Sequence, residues 1–98
     1  MESFQEIIQG DQPVLVDFFA TWCGPCKAMT PVIDELGKEV QGNARVLKID
    51  VDKNQALSMR FQIQTVPTFI IFKNGEPLWR HSGMIDKATL EEQLKSFQ

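Results

Sequence analysis

Two cysteines, Cys23 and Cys26, are the only thiols in the 98 residues, and only Gly24 and Pro25 stand between them. Sulfurs this close in sequence can close a small ring or share a metal ion. They cannot staple distant segments, so a disulfide scaffold is excluded. A zinc site needs two further ligands. The only histidine, His81, falls on a predicted strand, and there is no second cysteine pair. Covalent haem attachment needs histidine at position 27, which is Lys27. A pair without chemistry is the bland alternative. Reversible dithiol–disulfide exchange is the chemistry that this spacing favours.

The flanking segments explain how the sulfurs become reactive. Pro13 opens Val14-Leu15-Val16-Asp17-Phe18-Phe19-Ala20, a nearly continuous apolar run that reads as a strand buried on both faces of a parallel sheet. After Cys26, apolar residues at Met29, Val32, Ile33 and Leu36 follow helical spacing. The cysteines therefore lie where a strand hands over to a helix. A helix N-terminus carries roughly half a positive charge and unpaired N–H groups, so a thiolate there is stabilised and its pKa falls. Cys23 is expected in the cap region with its sulfur exposed, and Cys26 within the first turn. Pro25 suits that turn because its missing N–H would have had no helical partner. Gly24 leaves the approach to Cys23 open, and Pro31 predicts a kink farther along.

The rest of the chain supplies a framework. Ser3 and Glu6 have the form of a capping box ahead of a short amphipathic helix closing near Gly10. Val46 to Val51 reads as a second buried strand and Asn54 to Phe61 as a short helix. Thr68 to Phe72 and Pro77 to Ser82 read as antiparallel strands joined at Asn74-Gly75, a strong hairpin signal. Asp86 can cap a last helix whose Leu90, Leu94 and Phe97 face the core. The expectation is an α/β fold, a mixed four-stranded sheet flanked by helices, in a single domain spanning 1–98. A hydrophobic fraction of 43% supports a buried core, and the mean hydropathy is −0.18. A net charge of −3 and a pI near 5.0 argue against a nucleic-acid partner. No run approaches the ~18–20 apolar residues of a membrane helix, and the first residues lack the form of a secretory signal. A cytoplasmic monomer is expected.

The stretch Val16-Asp17-Phe18-Phe19-Ala20-Thr21-Trp22-Cys23-Gly24-Pro25-Cys26-Lys27 resembles the active-site segment of the thioredoxin family. The likeness extends to Pro31, to Lys48 and Asp52, to Val66-Pro67-Thr68, to Phe72-Lys73-Asn74-Gly75 and to Gly83, covering nearly the whole chain. It implies a thioredoxin fold and a protein-disulfide reductase whose Gly-Pro dipeptide is that of reducing members. Cys23 would be the nucleophile and Cys26 the resolving thiol. Protein disulfides would be the substrates, a separate thioredoxin reductase the electron donor, and no cofactor would be bound. Pro67 would be cis, with the Val66-Pro67 backbone facing the cysteines. Trp22, Gly24, Pro25, Val66, Pro67, Gly83 and Met84 would form a flat apolar rim for substrates.

Asp17 interrupts the buried run, where a carboxylate costs several kcal/mol unless it is neutralised, paired or hydrated. It is either satisfied by Lys48 on the next strand or acts as proton acceptor for Cys26 through a water, and the two roles are compatible. The resemblance favours the second. Its pKa is expected above the ordinary value, with Lys48 opposing the shift. Two departures stand out. The family's extra strand before the first helix is missing, which would leave Val46 to Val51 at a sheet edge. Phe19 also replaces a tryptophan found in many members. A redox-independent binding module using the same rim is the alternative function.

Overall fold

The computed structural model describes residues 2–98. Helix α1 (Phe4–Ile8) begins with the anticipated capping box: Glu6 N–H donates to the Ser3 hydroxyl, and Ser3 N–H donates to the Glu6 carboxylate. Strand β1 (Val14–Phe19) and helix α2 (Gly24–Glu39) follow, the helix continuing through Pro31. Then come β2 (Arg45–Asp50), α3 (Gln55–Arg60), β3 (Thr68–Lys73), β4 (Glu76–Ser82) and α4 (Lys87–Ser96).

The four strands form one sheet in the order β2-β1-β3-β4. β1 runs parallel to β2 and antiparallel to β3, and β3 runs antiparallel to β4. Alternation along β1 sends its side chains to two cores. Leu15 joins Met29, Ile33 and Leu36 of α2 and Leu90 and Leu94 of α4. Val14, Val16 and Phe18 join Ile8, Ile70 and Phe72 on the other face. Each fully buried side chain of this size contributes roughly 1.5–3 kcal/mol of transfer free energy. Asp17 shares the face of Leu15, so α2 covers a carboxylate as well as a core.

The hairpin forms at Asn74 and Gly75, whose φ angles of 53° and 81° are both left-handed, as the tightest twisted hairpins require. The turn also docks on the first helix, because Gly75 N–H donates to the Ile8 carbonyl and Asn74 N–H to that of Gly10.

One strand is less buried than its apolar run suggested, and it lies at the sheet edge as anticipated. β2 is half-exposed instead of buried, with Arg45 and Lys48 in solvent. Its place at the sheet edge is the reason. β1 neighbours it on one side only, although Val46 still packs toward the α2/α4 core and Leu47 and Ile49 toward the other.

Candidate active site

β1 ends at Phe19, and the turn Ala20 to Trp22 brings the chain into α2 with Cys23 as its N-cap. Cys26 N–H donates to the Cys23 sulfur at 3.1 Å, so one of the helix's free donors points at that sulfur. Cys23 and Cys26 are joined in a disulfide, their Cα atoms 5.3 Å apart. The Cys23 sulfur also lies 3.6 Å from the Val66 carbonyl oxygen, which a reduced thiol can use as an acceptor.

The expected exposed sulfur of Cys23 is a correction. Cys23 is 4% exposed and Cys26 5%, so the two are equally covered. Both pack with Ala20 against the adjoining Phe19 and against Val51 and Val66, which come from two other parts of the chain. Gly24 is open as anticipated: a Cβ there would meet no atom within 4 Å.

Asp17 is 2% exposed, and its Oδ1 has no hydrogen-bond partner among the described residues. Burial pushes its pKa up from 3.8 to about 6, while the positive charge of Lys48 pulls the other way. The register sets Asp17 beside Lys48, yet no ion pair forms between them among the described residues. The Lys48 ammonium instead sits over the Phe19 ring, 5.4 Å from its centroid, in a cation–π contact. Asp17, Lys48, Phe19, Thr30 and Cys26 line a common cavity of about 180 Å³. That volume accommodates water. Phe19 and Thr30 were invisible as site residues because their part is to wall this cavity, and Thr30 also donates its hydroxyl to the Cys26 carbonyl at 3.2 Å.

The remaining residues divide by exposure. Trp22 is 69% and Met84 57% exposed, Gly24 and Pro25 are exposed, and Val66 and Gly83 are half-buried. Pro67 is buried beside the half-buried Val66, and the next residue, Thr68, is buried as well. The Val66-Pro67 bond is cis, as anticipated. Gly83, at φ +95°, donates its N–H to the Pro67 carbonyl at 2.8 Å, a conformation that other residues adopt only under strain. Trp79 is a packing residue at the α2/α4 core, stacked on His81.

Residues 1–96 match the family model described as Thioredoxin. The chain belongs to the thioredoxin family. A thioredoxin-like protein of Synechocystis is 44% identical over 96 residues, spanning 97% of this chain and 91% of the relative. Among solved structures, a thioredoxin mutant from Halobacterium salinarum superposes with a TM-score of 0.86 at 38% identity, covering 95% of this chain and 80% of that one. A bifunctional thioredoxin reductase/thioredoxin of Mycobacterium leprae is 43% identical over 91 residues, 93% of this chain and 20% of that protein. With Cys23 and Cys26 at the thioredoxin active-site position and disulfide-bonded, the protein is a thiol–disulfide oxidoreductase that cycles between dithiol and disulfide.

Proposed function

We propose that Cys23 is the attacking thiolate and Cys26 the resolving thiol in the reduction of protein disulfides. The single observation that carries this is the asymmetry around the pair. The Cys23 sulfur caps α2 and receives a backbone N–H, an environment that stabilises negative charge. Cys26 faces the cavity that holds Asp17, a carboxylate whose negative charge disfavours a second anion.

The cycle follows. Cys23 thiolate attacks one sulfur of the substrate disulfide, forming a mixed disulfide and expelling the other sulfur as thiolate. Asp17 takes the proton of Cys26, through a water in the cavity, and the new thiolate attacks the Cys23 sulfur. The Cys23–Cys26 disulfide forms and the second substrate sulfur leaves. Two electrons pass to the substrate, whose two sulfurs take up protons. A separate reductase returns the electrons, a reading supported by the fusion of both activities in the M. leprae relative. Lys48 acts on Asp17 through its charge. Trp22, Gly24, Pro25, Val66, Gly83 and Met84, with the Pro67 backbone, receive the substrate chain.

The same reading makes 1–98 one domain working as a cytoplasmic monomer, where thiols are kept reduced, with no call for nucleic acid or membrane. No helix among the described residues is long and apolar enough to cross a membrane. A role as a redox-independent binding module has no observation in its favour.

Trapping tests the assignment. Cys26→Ser should accumulate a mixed disulfide with reduced-and-reoxidised insulin or another protein disulfide, and Cys23→Ser should accumulate none. The reverse pattern would exchange the two roles. Insulin reduction driven by dithiothreitol should vanish in both variants, and its persistence would end the redox reading.

A further inference from the structure

The indole of Trp22 is the largest exposed apolar surface beside the cysteines, and its one polar atom is tied down. Nε1–H donates to Asp52 Oδ2 at 2.9 Å, across 30 residues of chain. Asp52 is exposed and lies in the turn between β2 and α3, outside the cysteine turn and outside the cavity of Asp17. That turn is held by its own side chains. Asp52 N–H donates to Asp50 Oδ1 at 2.9 Å, and Asn54 Nδ2 donates to the Asp50 carbonyl at 3.0 Å. The carboxylate is thus presented from a loop with hydrogen bonds of its own, and it restrains the ring that it holds.

We propose that Asp52 is a positioning residue that makes the protein selective for polypeptide disulfides. It fixes the Trp22 ring as a preformed wall against which the chain flanking a substrate disulfide lies, so docking does not have to order that ring. Asp52 acts only through Trp22. A small disulfide that does not reach the wall is indifferent to it. The proposal rests on the reading of Trp22 as part of the substrate rim.

The test is single-turnover reduction by the pre-reduced protein, in quenched flow, over a range of insulin concentrations and separately with dithiobis(nitrobenzoate), a small aryl disulfide. Asp52→Ala should raise the insulin concentration for half-maximal rate about 5- to 10-fold and change the maximal rate less than about 2-fold, in line with losing preorganisation alone. Its rate with the small disulfide should stay within about 2-fold. Asp52→Asn keeps an oxygen acceptor for the indole N–H and should restore insulin behaviour to near wild type. In a Trp22→Phe background, which lacks the N–H, Asp52→Ala should add nothing.

An unchanged half-saturation in Asp52→Ala, beside a raised one in Trp22→Ala, would overturn the proposal and leave the rim intact. An equal loss with both disulfides, or an effect of Asp52→Ala undiminished in Trp22→Phe, would also overturn it. If Trp22→Ala itself leaves insulin half-saturation unchanged, the rim reading falls and takes the proposal with it.

Discussion

Asp17 and Thr68 are buried polar side chains on adjacent strands, one register step apart, and they are treated in opposite ways. Thr68, fully buried, donates its hydroxyl to the Thr65 carbonyl at 2.5 Å and lies 3.0 Å from the Ser82 hydroxyl. It ties the loop carrying Val66 and Pro67 to the last strand. Asp17 keeps an oxygen with no partner among the described residues and faces a cavity shared with Cys26. A satisfied buried hydroxyl costs little, whereas an unsatisfied carboxylate is carried at a loss. The difference teaches where stability has been given up. The fold meets the polar needs of the element that shapes the rim, and leaves unmet those of the group proposed to move a proton.

The largest expected effect breaks the Asp17 side of this contrast. Because its folded pKa, about 6, exceeds 3.8, the native state binds a proton more tightly than the unfolded chain. Asp17 therefore takes nothing from stability below the unfolded value, and stability falls as pH rises through the folded one. Roughly two units correspond to about 3 kcal/mol, lost by pH 8. Asp17→Asn should be more stable than wild type by about that amount at pH 8 and equal to it at pH 3, as read from urea melts. It should also slow resolution of the mixed disulfide about 10²-fold. A variant less stable at pH 8 and fully active would leave Asp17 a structural group.

Thr68→Val sharpens the other side. Its shape is kept, but the Thr65 carbonyl loses its donor, so a loss of about 1–3 kcal/mol is expected at every pH from 5 to 9. A pH-dependent loss would mean that Thr68 and Asp17 are coupled. Ser82→Ala removes only the second hydroxyl and should cost about 0.5–1.5 kcal/mol in the same melts.

The smallest effect belongs to Lys48, which is exposed and acts on Asp17 by charge alone. Lys48→Met should move the Asp17 titration upward, seen by NMR of the carboxyl carbon, and change stability at pH 8 by less than about 1 kcal/mol. A larger loss would point to a direct ion pair in solution, and the contrast with Thr68 would narrow.

Much of this was written in local sequence. The capping box at Ser3 and the Asp86 cap rest on contacts within a few residues, and the Asn74-Gly75 turn on left-handed φ angles that these two residue types accept, so residue type decided them. The cysteine spacing fixed a pair that closes within one helical turn. The apolar run around Asp17 announced a buried carboxylate, because a strand of that composition has no wet face. Burial between distant segments was decided only by the tertiary structure. Cys23 lost its exposure to Val51 and Val66, which lie far from it in sequence. The cavity joining Asp17 to Cys26, and the grip of Asp52 on Trp22 across 30 residues, likewise needed the packed chain. A contact between remote segments leaves no periodicity in sequence, and whether a polar group finds a partner depends on where the other strands and loops come to rest.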